Sequence, residues 1–230
     1  MEIQNNSFNR HKILELQEAL EMLRKQQTTI SKLIVCGKHH FCTGADLMDD
    51  SIMSKGGGKW MNEIMTAQLK DLAMLPFTTY SFINTLAVGG GAELACATDY
   101  RIMTRNAYIQ FVHSNYGIIP GWGGYQLLSD ICGHSKAVKI LMNGYKLYPK
   151  NCEELGLVDA VVESKEKFLK KSFGVEEKYE KFDLDCPIVD NSVIKALRKV
   201  RHKLSTESEM FQKLWMSNYH KNKINQFKQK

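Results

Sequence analysis

The chain has 230 residues, of which 43% are hydrophobic, 24% charged and 10% aromatic, and this composition predicts one globular domain with at most a small appendage. Four prolines and sixteen glycines exclude the collagen-like and disordered classes. The apolar runs are too short to cross a membrane. Much of the net charge of +6 comes from residues 195–230, where a solvated helix face is favoured over a nucleic-acid-binding surface.

The cysteines and the first residues indicate a compartment. Six cysteines without a regular spacing predict reduced thiols rather than a disulfide framework. The first residues lack the basic start and apolar core of a signal peptide, so we expect a cytoplasmic protein. Residues 36–42 (CGKHHFC) hold four potential metal ligands, but no second ligand pair follows them, so no metal site is predicted.

The first half of the chain alternates between helices and strands. Apolar periodicity predicts a helix over 11–27, a buried strand over 30–36, a helix over 60–75 and a strand over 78–83. The polar segment 46–59, with three successive glycines, is expected to be a mobile loop. This alternation is typical of the α/β class.

The second half continues the alternation. Short strands are predicted over 100–103 and 108–111, and helices over 125–131 and 136–142. Within 145–163 a helix, a turn and a strand are expected, with Gly156 at the end of the helix.

The charged remainder of the chain is expected to be helical and to lie apart from the main sheet. Its apolar residues 193–200 and 210–215 predict two amphipathic helices. We therefore divide the chain into a core over 1–163 and a C-terminal helical region over 164–230.

Two glycine-containing turns carry the chemistry. Residues 41–47 and 89–93 each follow a strand, and the second turn opens a helix. Glycine lets a ligand approach the main chain, and two backbone N–H groups that converge on one oxygen form an oxyanion hole. Two ordinary tight turns are the alternative.

With these turns, the order of the motifs resembles the crotonase (enoyl-CoA hydratase/isomerase) superfamily. The resemblance runs from Arg10 to Val162 and rests on Phe41–Leu47, Ala87–Leu94, Gly117–Gly124 and Leu155–Val162. The segments GGGAEL, DYRIMT and FVHSNYGIIPGWGG are most similar to the ethylmalonyl/methylmalonyl-CoA decarboxylase branch.

The resemblance implies an α/β fold with a β-β-α spiral core and a C-terminal helical region, assembled as a homotrimer or homohexamer. It implies an oxyanion hole made by the N–H groups of Ala45 and Gly90, and catalytic roles for Glu93 and His113. The substrate would be an acyl-CoA thioester. Beyond the coenzyme A moiety of that substrate, no cofactor and no metal would be needed. The contacts of coenzyme A would be Arg10, Phe41, Ala45, Asp46, Leu47, Met48 and Gly90.

The acid/base positions distinguish the possible reactions. Hydratases of this family carry glutamates at both the Glu93 and the His113 positions, and here only Glu93 is a glutamate. The resemblance therefore favours decarboxylation of ethylmalonyl- or methylmalonyl-CoA, in which His113 or Glu93 places the carboxylate and returns a proton.

Other functions remain open from the sequence: an enoyl-CoA hydratase or isomerase, an acyl-CoA hydrolase, and a catalytically silent CoA-binding scaffold that binds RNA through its basic tail. Family members usually begin with a β-hairpin before the position of Asn5. The chain starts almost there, so the hairpin is expected to be missing and one sheet edge to be unpaired.

Overall fold

The computed structural model describes residues 2–3, 7–28, 30–165, 167–168, 211–212 and 214–229. Its strands are β1 (Glu2–Ile3), β2 (Lys32–Gly37), β3 (Thr78–Ile83), β4 (Leu86–Val88), β5 (Tyr100–Thr104), β6 (Tyr108–Gln110), β7 (Lys146–Leu147) and β8 (Ala160–Val162). Its α-helices are α1 (Arg10–Lys25), α2 (Lys55–Ala73), α3 (Gly90–Cys96), α4 (Gly124–Cys132), α5 (His134–Asn143), α6 (Pro149–Leu155) and α7 (Asn218–Lys228). A 3-10 helix covers His113–Tyr116.

Two sheets form the centre of the molecule. One is parallel, in the order β1-β2-β3-β5-β8, and the other has the order β4-β6-β7. The chain passes repeatedly from the first sheet to the second and then into a helix, as in β3–β4–α3. An isolated parallel bridge between Cys42 and Ala87 places the segment after β2 beside β4 in the same way. This repetition is the β-β-α spiral, and the α/β class is confirmed.

The elements predicted from periodicity lie close to those observed. The strand over 78–83 is exact, and α1, α4 and α5 differ from their predicted bounds by one or two residues. Gly156 follows α6 with a left-handed φ of 68°, as predicted for a helix end. The short strands β4 and β7 were not predicted, so the second sheet was not visible in the sequence pattern.

The glycine run at 56–58 is not a loop, and this prediction was wrong. It forms the first turn of α2, where Ser54 caps the helix by accepting a hydrogen bond from the Gly57 N–H at 2.9 Å. A Cβ at Gly58 would lie 1.7 Å from the Trp215 ring, and one at Gly57 would lie 2.0 Å from the Ser51 carbonyl oxygen. Close packing therefore explains these glycines, and the helix tolerates them because its N-terminus is capped.

The described C-terminal residues pack against the rest of the molecule. Phe211, Trp215 and Ile224 belong to the same hydrophobic core as the buried residues of α1 and α2. The Trp215 Nε1–H donates to the Ser54 carbonyl oxygen at 3.1 Å. The apolar segment 193–200 lies outside the described residues, and the division of the chain at residue 163 stays a prediction.

No helix in the described ranges is long and apolar enough to cross a membrane. None of their His, Cys, Asp and Glu side chains gather in groups of three or more that could hold a metal ion. At the sheet edge, Glu2 and Ile3 pair with the end of β2. The missing N-terminal hairpin stays a prediction.

Candidate active site

A cavity of about 370 Å³ opens where the two glycine turns meet the C-terminal segment. We divide most of its lining into two sets of residues, the turn wall and the C-terminal wall. The turn wall consists of Thr43, Ala45, Asp46, Leu47, Met48, Val88, Gly89 and Gly90, and the C-terminal wall consists of Phe211, Trp215, His220, Ile224 and Phe227. Glu93, His113, Gly121 and Trp122 also line the cavity.

The turn wall presents backbone donors. A Cβ added at Gly44 would lie only 2.7 Å from the Gly90 nitrogen, so the two turns touch. Gly44 and Gly89 have φ values of 84° and 57°, which favour glycine and orient the amides that follow them. Neither Ala45 N–H nor Gly90 N–H donates a hydrogen bond within the described part of the chain. Two adjacent, unused donors at one cavity are the arrangement that an oxyanion hole requires.

The thiol nearest to these donors is unsuited to act as a nucleophile. Cys42 is fully buried, and its Sγ accepts the Gly44 N–H at 3.3 Å. Burial raises the pKa of Cys42 to about 12, so the thiol stays neutral. Cys42 therefore shapes the turn, and covalent thiol chemistry is not available beside the two donors.

Glu93 is held on all sides. It is 1% exposed and accepts hydrogen bonds from the backbone N–H groups of Gly121, Trp122 and Gly124 at 3.3, 2.7 and 2.8 Å. Its Oε1 lies 3.0 Å from His113 Nε2. A Cβ at Gly124 would lie 2.4 Å from Glu93 Cγ, so glycine there allows the carboxylate to reach the amides. Four donors leave Glu93 little capacity to bind and activate a water.

His113 connects this carboxylate to the cavity. It begins the 3-10 helix, is 6% exposed and donates from Nε2 to the Glu93 carboxylate. This contact fixes the ring orientation and leaves Nδ1 as the other polar atom. Nδ1 is buried and has no hydrogen-bond partner among the described residues. A neutral ring therefore offers a lone pair at Nδ1, and a protonated ring offers a donor there.

Most of the residues that the sequence singled out meet at the cavity. Ala45, Gly90, Glu93 and His113 all line it, together with the predicted coenzyme A contacts Asp46, Leu47 and Met48. Two others do not line it. Phe41 is fully buried, and Arg10 lies in α1, where its guanidinium stacks on the Trp60 ring at 4.2 Å.

The C-terminal wall and the amides that hold Glu93 are not predicted by the sequence pattern. Phe211, Trp215 and His220 are more than 100 residues away from the turns, so no local motif joins them. A signal existed nonetheless. A Cβ at Gly121 would lie 2.3 Å from the Phe211 ring, which shows that glycines at 58 and 121 mark the positions where aromatic rings of the tail approach the backbone.

Comparison with known proteins identifies the family. The sequence profile of the family "Enoyl-CoA hydratase/isomerase" matches residues 2–230. The chain belongs to this family, the crotonase superfamily. Ethylmalonyl-CoA decarboxylase of Xenopus tropicalis is 33% identical over 214 residues, which cover 91% of this chain and 72% of the relative. Its human counterpart is 34% identical over 199 residues, covering 84% of this chain and 62% of the relative.

Solved structures agree on the fold. An enoyl-CoA hydratase from Mycobacterium avium subsp. paratuberculosis K-10 superposes with a TM-score of 0.78 at 17% identity, covering 99% of this chain and 91% of that one. An enoyl-CoA hydratase from Bacillus halodurans gives a TM-score of 0.73 at 21% identity, covering 97% of each chain. This crotonase-family chain is therefore an acyl-CoA enzyme by family, and the identity of its acyl group is a separate question.

Proposed function

We propose that this crotonase-family protein decarboxylates a malonyl-type thioester, ethylmalonyl-CoA or methylmalonyl-CoA. The observation that carries the proposal is the state of Glu93. Its carboxylate accepts four hydrogen bonds, and the position where hydratases carry a second glutamate is occupied by His113. Hydration needs a water held between two free carboxylates, and the Glu93 and His113 positions do not offer such a pair. The similarity to ethylmalonyl-CoA decarboxylases supports the same reaction.

In this proposal the Ala45 and Gly90 N–H groups bind the thioester carbonyl oxygen. The substrate's carboxylate lies out of the thioester plane, so the electrons of the breaking C–C bond enter the carbonyl as an enolate. Carbon dioxide leaves, and the two N–H groups stabilise the enolate oxygen. The described lining residues include no lysine or arginine, so no cation there favours retention of the carboxylate.

A proton then returns to the α-carbon, and we assign this step to His113. Its Nδ1 has no partner among the described residues and so is available to take a proton from solvent and donate it. Glu93 is a positioning residue in this proposal: it orients the imidazole through the contact between its Oε1 and His113 Nε2. No group other than the substrate's own thioester serves as the electron sink.

The remaining parts of the proposal concern binding and assembly. Coenzyme A would run along Ala45–Met48, with its adenine near the backbone of 41–45. Arg10 would contribute to phosphate binding from the start of α1, beside the loop that carries Asp49, whose Oδ2 accepts the Arg10 N–H at 2.8 Å. We further propose a cytoplasmic homotrimer or homohexamer, which light scattering after size exclusion would test.

The direct test is a panel of thioesters analysed by mass spectrometry. The protein is incubated with ethylmalonyl-, methylmalonyl-, crotonyl- and butyryl-CoA. We expect loss of 44 mass units, one CO₂, from a malonyl-type thioester and little addition of water to crotonyl-CoA. Efficient hydration of crotonyl-CoA without CO₂ release would contradict the proposal, and hydrolysis of butyryl-CoA would favour a hydrolase. Binding of RNA with no turnover of any thioester would favour a scaffold.

A further inference from the structure

A second buried histidine, His220, lines the cavity that holds His113. It belongs to α7 and is 0% exposed, with its ring edge against the Trp215 ring at a centroid distance of 4.7 Å. Helix α7 packs on the 3-10 helix that begins with His113, and the Tyr116 and Phe227 rings meet there at 6.0 Å. The fold therefore brings two imidazoles, distant in sequence, to one cavity.

The backbone fixes the tautomer of His220. The Met216 N–H donates to His220 Nδ1 at 3.4 Å, and the His220 N–H donates to Ser217 Oγ at 3.3 Å. Because a backbone N–H can only donate, Nδ1 must be unprotonated and the neutral ring carries its hydrogen on Nε2. Burial lowers the pKa of His220 to about 4, so the ring is neutral near pH 7. Met216 itself has a left-handed φ of 56°, which residues other than glycine rarely adopt.

The Nε2–H of His220 is a buried donor, and no acceptor lies within hydrogen-bond distance of it among the described residues. A buried donor without an acceptor destabilises the unliganded protein, and such groups call for a functional explanation. The surrounding wall is formed by aromatic and aliphatic side chains, Phe211, Trp215, Ile224 and Phe227. An acceptor group on a ligand bound in the cavity would give this donor a partner, and His220 lines that cavity.

We propose that the His220 Nε2–H binds the free carboxylate of the substrate and thereby selects carboxylated acyl-CoA over simple acyl-CoA. This inference rests on the proposed decarboxylation. A neutral donor suits that reaction, because a carboxylate that becomes neutral CO₂ loses less stabilisation from a neutral partner than from a lysine or arginine. It also leaves His113 free to return the proton. His220 is thus a substrate-binding residue on the C-terminal wall.

Two substitutions separate the two functions of the His220 ring, which are to donate a hydrogen bond from Nε2 and to accept one from the Met216 N–H at Nδ1. His220→Asn keeps an oxygen that accepts the Met216 N–H and lacks a donor at the Nε2 position. His220→Gln reaches further and retains a donor. The control is His11→Gln on the exposed face of α1, where the imidazole is 79% exposed and lies 3.1 Å from Glu15 Oε1. Circular dichroism and thermal unfolding establish that each variant is folded before binding is measured.

The probe is 2-sulfobutyryl-CoA, in which a sulfonate that cannot leave replaces the carboxylate, and butyryl-CoA is the reference. Titration calorimetry should show that the wild type binds the sulfonate more tightly than butyryl-CoA. We expect His220→Asn to weaken sulfonate binding about tenfold, as expected for the loss of a hydrogen bond to a charged group, with butyryl-CoA affinity within about threefold. His220→Gln should recover most of the preference, and His11→Gln should change neither affinity.

The outcomes separate this inference from the proposed function. An unchanged sulfonate preference in folded His220→Asn would overturn the inference, and so would an equal loss for both ligands, which indicates a role in cavity shape alone. A wild type that prefers the sulfonate but releases no CO₂ from any malonyl-type thioester would contradict the decarboxylase proposal, while the carboxylate-binding role would stand.

Discussion

The turn wall and the C-terminal wall of the cavity are made of different chemical groups. The turn wall presents the backbone N–H groups of Ala45 and Gly90, held by strand β4 and by the contact between the two glycine turns. The C-terminal wall presents aromatic side chains and the imidazole of His220. In the proposed function, stabilisation of the enolate would depend on main-chain geometry that few substitutions alter. Selection of the acyl group would depend on side chains that one substitution can change.

The largest effect is expected at His113, which lines the same cavity as the two walls. A His113→Gln variant removes the imidazole to which we assign the return of the proton, and it should lower CO₂ release by about 10²–10⁴-fold. Affinity for butyryl-CoA should stay near the wild-type value, because the oxyanion donors and the coenzyme A contacts are elsewhere. Turnover kinetics and calorimetry measure the two quantities. A variant with unchanged turnover would remove His113 from the mechanism.

The next effect isolates the turn wall. Replacing the Gly90 amide by an ester, through incorporation of glycolic acid, deletes one N–H without adding an atom. Turnover should fall about 10²–10³-fold, the usual cost of losing one oxyanion donor. Proline at this position is a poor probe, because a Cβ at Gly90 would lie 2.4 Å from the Trp122 ring. The same ester at Gly56, where nothing lies within 4 Å of an added Cβ, is the matched control. Equal rates in both esters would contradict the oxyanion assignment.

The two walls also differ in how far sequence reasoning could predict them. Glycine placement marked the turns at 41–47 and 89–93 in the sequence, and the family resemblance paired the N–H groups of Ala45 and Gly90. The C-terminal wall depends on packing between residues such as Gly58 and Trp215, which are separated by 157 positions, and periodicity carries no information about such pairs. The sequence predicted a carboxylate in the site at Glu93 but not its hydrogen bonds. The backbone N–H groups of 121–124 reach it only because of how that loop folds.

A smaller effect concerns the attachment of the C-terminal wall. Trp215→Phe keeps a ring over Gly58 and removes the hydrogen bond from Nε1–H to the Ser54 carbonyl oxygen. We expect the free energy of unfolding to fall by about 1–2 kcal/mol, from one lost hydrogen bond and imperfect filling of the larger space. Urea unfolding provides the measurement. Trp60→Phe, at a half-buried ring outside the cavity lining, is the control for loss of an indole. A Trp215 effect no larger than that of Trp60 would argue against tight attachment.

The smallest effect is a pH dependence. The pKa of folded His220 is lowered to about 4 from 6.5, so between these values the unfolded state binds more protons and stability falls as the pH falls. Relative to His220→Gln, the wild type should lose about 1 kcal/mol of unfolding free energy from pH 6 to pH 5. Above about pH 7.5, where the unfolded-state imidazole is also neutral, the difference between the two proteins should be constant. Parallel stability curves from pH 7 to pH 5 would show that His220 is not buried as a neutral ring.

The most direct test of the account follows both products of bond cleavage together. Ethylmalonyl-CoA labelled with ¹³C in its free carboxyl group is incubated with the wild-type protein in heavy water, and the mixture is observed by NMR. The account predicts that the label appears as ¹³CO₂ and bicarbonate while the thioester becomes butyryl-CoA with deuterium at the α-carbon. A label that stays in the thioester, together with rapid addition of water to crotonyl-CoA by the same sample, would contradict it.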